Sequence, residues 1–129
     1  MIEKTQSFGI QIPTVAQTQL TTEVGTVSLN DDSEKLQKAQ VELFQFDGFD
    51  LPFVAGCSGW MACKLIPEPH IQNKYDLFIG EIIGAWADTR VFKDGRWHFE
   101  TADPSLRSIH HVAGGHYYAI GESFPPKSK

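Results

Sequence analysis

The stretch from Tyr75 to Trp86, YDLFIGEIIGAW, constrains the fold more than any other part of this chain. In an extended segment successive side chains point to opposite faces. Tyr75, Leu77 and Ile79 then share one face, and Phe78, Ile82 and Trp86 share the other. Apolar residues on both faces predict a central strand covered from both sides. Gly80 and Gly84 lie on the second face and mark a bend, a bulge or a close neighbour.

The surrounding sequence supplies partners for such a strand. Trp60, Ala62 and Lys64 alternate with Met61, Cys63 and Leu65, and Pro67 and Pro69 interrupt the chain before Tyr75. Asp94-Gly95, inside Lys93–Arg96, is a strong hairpin signal joining 90–92 to 97–99. Asp103-Pro104 opens a short helical turn, with Asp103 as cap and Pro104 at the first helical position. Gly114-Gly115 precedes a last strand over 116–120, and Phe124-Pro125-Pro126 begins a frayed tail.

The N-terminal third differs. Phe8, Ile10 and Ile12 alternate as a half-buried strand that Pro13 ends. Thr14 and Gln17 have capping-box spacing and open a helix with Ala16, Leu20 and Val24 as its apolar stripe, stopped by Gly25. Residues 30–33 form a turn and cap a second short helix over 34–40, with Leu36 and Ala39 inward. A short strand over 43–46 leads to an Asp47-Gly48 turn. Several strands with two short early helices predict a mainly β, α+β fold: a β-barrel or curled sheet.

Bulk properties narrow the function. The chain has 129 residues, suited to one domain, and a formal net charge of −5 with no run of Lys or Arg. Duplex nucleic acid and anionic membranes require a basic face, so neither is an expected partner. No apolar stretch is long enough to span a bilayer as a helix. Cys57 and Cys63 form no CxxC pair and read as buried free thiols of a cytoplasmic protein.

Three segments together carry a family resemblance. They are residues 2–14; Met61–Ile66 with Leu77–Ala85; and Val91–His98 with Ile109–Gly121. In order and spacing they resemble the later part of the flavin reductase-like, FMN-binding split-barrel family. The resemblance implies a split β-barrel, Greek-key-like, with residues 1–122 as a partial domain and 123–129 as a flexible tail. The family's usual N-terminal strands, which carry much of the phosphate site, have no counterpart here. It also implies FMN, or FAD, as cofactor, NAD(P)H as substrate, a homodimer with flavin near the subunit interface, and NAD(P)H-dependent flavin reduction or partnership with a flavoprotein oxygenase. The alternative is a non-catalytic split-barrel remnant acting through oligomerisation or a partner chain.

In flavin reduction the cofactor carries the hard chemistry, and the protein supplies aromatic surface, polar contacts and orientation. Within the resemblance His98 is the candidate catalytic residue, and Arg96, Trp97, His116 and Tyr117 are candidate cofactor contacts. Arg96 could pair with a phosphate, and Trp97 and His98 alternate, so only one of them faces the ligand. A plain surface hairpin with a packed Trp is the competing reading. His98, His110, His111 and His116 invite a metal site, but no H-x-E or H-E-x-x-H spacing accompanies them, and none is expected. Glu81, inside an apolar strand, reads as an edge or interface contact before a tuned carboxylate.

Overall fold

In the computed structural model, which describes residues 1–127, the chain forms a mixed α+β fold built from antiparallel sheets. In chain order the elements are α1 (Ile2–Thr5), β1 (Ser7–Ile12), α2 (Thr18–Thr26), α3 (Lys35–Lys38), β2 (Leu43–Phe44), β3 (Phe53–Val54), β4 (Gly59–Ile66), α4 (Pro69–Tyr75), β5 (Ile79–Ala87), β6 (Phe92–Lys93), β7 (Arg96–Trp97), β8 (Ile109–Val112) and β9 (His116–Ala119). Single 3₁₀ turns cover Val15–Gln17 and Pro104–Leu106. The principal sheet has the order β1-β4-β5; β2-β3, β6-β7 and β8-β9 are two-stranded.

The central strand is therefore β4. Its residues Ala62, Cys63 and Leu65 are almost fully buried. The expectation for Tyr75–Trp86 needs correction on two counts. Pro69 occupies the first turn of α4, whose final residue is Tyr75, and Asp76 ends it in the left-handed conformation at φ 53°. Pro69 thus starts a helix where a plain interruption was expected, because its fixed φ and missing N–H cost nothing there. The strand itself begins at Ile79 and lies at the sheet's edge, with Ile82 58% and Ile83 47% exposed. The bulge marked by the glycines is present. Ala62 pairs with Gly84 and Cys63 with Ile82, leaving Ile83 as the extra residue.

The two faces of the sheet are covered differently. On one, the β2-β3 hairpin brings Phe44, Phe46, Phe49 and Phe53 against Trp60 and Trp86. Phe46 stacks on Trp86 at 3.9 Å with an interplanar angle of 6°. Fully buried Phe53 lies over Gly9, where a Cβ would come within 3.0 Å of its ring. Phe53 is the buried centre of this aromatic cluster, and the core continues through Cys57, Ala62, Cys63, Leu65, Val91 and Phe99. Part of the opposite face, around Ile10, Met61 and Ala85, remains open as the groove described below.

The early helices form with altered boundaries. The Gln17 side chain accepts the Thr14 N–H at 3.2 Å and donates to the Ala55 carbonyl at 2.9 Å, tying the helix start to the end of β3. Gly25 lies inside α2, which runs on to Thr26, so glycine does not stop it. Lys35 holds that end instead, donating to the carbonyls of Val24 and Val27 at 2.9 and 2.8 Å. This satisfies acceptors that a helix C-terminus leaves without partners. Ala16 falls in the 3₁₀ turn and is exposed, which removes it from the stripe.

The local turn chemistry holds. Asp94 and Gly95 have φ of 52° and 77°, as a type I′ hairpin turn requires. Asp103 accepts the Ser105 N–H at 2.9 Å. Gly114 and Gly115, both at positive φ, turn β8 into β9. Cys57 and Cys63 are buried and free. Residues 120–127 have no regular structure, and 128–129 of the expected tail lie outside the described residues. No helix among the described residues is long and apolar enough to cross a membrane.

Candidate functional site

The β6-β7 hairpin carries three of the five candidate residues. Its tight turn puts Arg96, Trp97 and His98 at the end of the principal sheet. Trp97 packs between aromatic neighbours, parallel to Phe99 at 5.3 Å and edge-on to Phe92 at 5.1 Å. Its outer edge sits over β4, where a Cβ on Gly59 would come within 3.3 Å of Trp97 Cη2. Trp97 thereby becomes one wall of a groove of about 390 Å³ along the sheet, with Ile10, Met61, Ala85 and Phe92.

His98 does not line that groove. Its ring Nε2 lies 3.1 Å from the Lys93 carbonyl oxygen, so this nitrogen carries the hydrogen and donates it. Its Nδ1 lies 3.8 Å from Glu100 Oε1, the same oxygen that accepts from Arg96 Nη2 at 2.9 Å. The Glu100 carboxyl is held below its ordinary pKa, chiefly by its own backbone N–H and then by Arg96. Arg96, Glu100 and His98 therefore form one polar cluster closed within the hairpin. A phosphate approaching Arg96 would compete with Glu100 for it.

His116 and Tyr117 lie elsewhere, on the β8-β9 hairpin. The Tyr117 hydroxyl hydrogen-bonds the Thr22 hydroxyl of α2 at 3.0 Å, and its ring lies 5.0 Å from that of His111. Tyr117 lines a second cavity with Thr21, Thr22, Thr26 and His111. Within one chain the five candidates thus fall into two groups on different hairpins, and of the five Trp97 lines the groove and Tyr117 the second cavity. Among the described residues, no group of three or more His, Cys, Asp or Glu is arranged to hold a metal ion. Glu81 sits exposed on the edge strand, opposite Lys64.

Sequence reasoning missed the parts contributed by the sheet itself. Ile10, Met61 and Ala85 share a face because β1, β4 and β5 pair in the registers Ile10–Met61 and Met61–Ala85. Their alternation was visible, but the alignment of three strands was not.

The flavin reductase like domain model matches residues 1–106. The chain belongs to the flavin reductase-like domain family. The FMN-binding domain of a flavin reductases-like enzyme from Shewanella baltica OS155 is 63% identical, with a TM-score of 0.94 over 98% of this chain and 66% of that one. Uncharacterized protein YddH of Escherichia coli (strain K12) is 39% identical over 123 residues, 95% of this chain and 64% of that protein. Flavoredoxin of Desulfovibrio vulgaris (Miyazaki F) shares the fold at 21% identity, with a TM-score of 0.74 over 97% of this chain and 64% of that one. This flavin reductase-like chain thus spans just under two-thirds of each relative. The mainly β, α+β split-barrel expectation is borne out by the fold these proteins share.

Proposed function

We propose that this flavin reductase-like chain binds FMN, with FAD as a weaker substitute, and serves NAD(P)H-dependent flavin reduction, supplying reduced flavin to a partner such as a flavoprotein oxygenase. The observation that carries this reading is the 63% identity, at a TM-score of 0.94, to the FMN-binding domain from Shewanella baltica. The groove fits a flat ring system, since its walls are mostly apolar and Trp97 and Met61 present broad polarisable surface. FMN, when bound, supplies the ring that takes up hydride. Trp97 would hold that ring against the sheet. Arg96, once a phosphate displaces it from Glu100, would provide positive charge next to it, and the Lys93 carbonyl would fix the His98 ring with Nε2 protonated. Residues 1–122 act as one unit in this reading, with the tail outside the site.

His116 and Tyr117 join the same site only if the β8-β9 hairpin of a second copy closes over the groove, which makes the functional form a homodimer. Titration with FMN, read by quenching of flavin fluorescence, tests the proposal. Saturable binding at micromolar or tighter Kd, about −8 kcal/mol or better, supports it. His98→Ala should then slow NADH oxidation while FMN binding persists. No saturable binding would remove the claim that this chain acts alone as a flavin protein.

The second reading, a remnant acting through oligomerisation or a partner chain, is favoured by the β5 edge. Among the described residues β5 has a strand neighbour on one side only, and Ile82 and Ile83 are exposed beside it. Apolar edges of this kind invite strand pairing. A colourless protein whose sedimentation shifts with concentration, and whose Ile82→Lys variant is monomeric, would support this reading over the first.

A further inference from the structure

A cavity of about 370 Å³ lies between α2, α3 and the ends of β1 and β3, away from the Arg96–His98 hairpin. Leu20 and Val24 of α2, Leu36 of α3, Val41 and Val54 form most of its wall. All five are only half-buried, so apolar residues of both helices face space that no protein atom fills. Cys57 also lines it; burial pushes the thiol pKa up, so it contributes a neutral surface. A volume at the low end for ligand sites admits one ring with small substituents.

The polar groups on the wall set the ligand's chemistry. Both ends of the Gln17 amide are occupied by the Thr14 N–H and the Ala55 carbonyl. Gln11 is different: its Oε1 accepts the Val54 N–H at 2.7 Å, which fixes the amide, while its Nε2 has no partner among the described residues. Lys35 is the one charged residue on the wall. Its ammonium has three donors, and the Val24 and Val27 carbonyls take two. The cavity therefore offers an apolar slot, the Gln11 amide N–H, the Thr21 hydroxyl and the Lys35 ammonium, with no carboxylate on its own wall; Lys35 also borders a neighbouring cleft that Glu23 and Asp32 line.

We infer that this cavity binds a single-ring aromatic carboxylate, the ring against Leu20, Val24 and Leu36 and the carboxylate accepting from Lys35 and Gln11. This site is distinct from the groove beside Trp97 and does not depend on flavin binding.

Benzoate is the probe, followed by methyl NMR on the full chain with and without saturating FMN. The expected result is saturable shifts confined to the methyls of Leu20, Val24, Leu36, Val41 and Val54, unchanged by FMN. Lys35→Met should weaken benzoate by about tenfold or more, the effect of losing a charge-assisted hydrogen bond. Because Lys35 also holds the end of α2, Gln11→Glu serves as a second variant: it leaves that contact intact and keeps an oxygen to accept the Val54 N–H while removing the side-chain donor, and it should likewise weaken binding. Val24→Phe, which fills the slot, should abolish it. No saturable shift by about 10 mM, beyond the millimolar range in which binding is worth only about −4 kcal/mol, overturns the inference. Displacement of benzoate by FMN overturns its independence from the flavin site. Unchanged affinity in both donor variants overturns the assigned chemistry.

Discussion

Gly84→Ala tests the packing of the sheet against its aromatic cover. A Cβ at this position would lie 2.6 Å from Trp86 Cη2 and 2.8 Å from Phe49 Cζ, both inside contact distance. Neither ring can simply retreat. Trp86 is stacked on Phe46 at 3.9 Å, and Phe49 meets Trp86 edge-on at 4.9 Å. Overpacking a filled core by a methyl group costs about 1–3 kcal/mol. Restricting the unfolded chain at a former glycine returns roughly 0.4–1 kcal/mol. These ranges leave a loss of between zero and about 2.5 kcal/mol, centred on roughly 1 kcal/mol. Urea unfolding should show a lower midpoint at unchanged slope. The same substitution in a Phe49→Leu background, where the opposing ring is gone, should cost less, giving a coupling of at least ~0.5 kcal/mol between the two sites. A midpoint above that of the parent, or strict additivity with Phe49→Leu, would refute the packing argument.

Gly25 makes the opposite case: it lies inside α2, and a methyl group added there would meet nothing within 4 Å, so Gly25→Ala should raise stability by about 0.5–1 kcal/mol in the same urea assay. Gln17→Ala leaves the Thr14 N–H and the Ala55 carbonyl without their partner and should cost about 1–3 kcal/mol, with faster amide exchange at Thr14. Acid sensitivity should trace in part to Asp88, whose carboxyl the Arg90 hydrogen bonds hold below its ordinary value. A depressed folded-state pKa contributes stability above the unfolded value near ~3.9, and that stability is lost as pH falls through the folded value. Asp88→Asn should therefore lower stability at neutral pH and flatten its decline below about pH 4; a parallel decline in both proteins would argue against the assignment.

Where the fold was legible in advance, the deciding signal was local. Asp94-Gly95 specifies its turn because two successive positive φ angles exclude most other residues. Asp103 and Gln17 hold their turns through side chains that reach backbone groups two or three residues away. Where a signal was ambiguous, the reading failed. Tyr75 and Leu77 continue the alternation of Ile79, yet Pro69 and left-handed Asp76 bound a helix through Tyr75. Gly25 looked like a helix stop, but Lys35, from the next helix, holds that end.

The sequence by itself determined the elements that depend on neighbours in the chain: the type I′ hairpin, the capped turns, the β1 and β4 strands, the two early helices, and the family the chain belongs to. Tertiary structure alone decided that β4 is central and β5 an edge, that Trp97 lines a groove while His98 turns toward the Lys93 carbonyl, and that Tyr117 meets Thr22 across the fold. The physical reason is range. Backbone sterics and caps act over a few residues, whereas strand order, groove walls and cavities arise from pairings between distant segments, for which an apolar alternation specifies a buried face but not its partner.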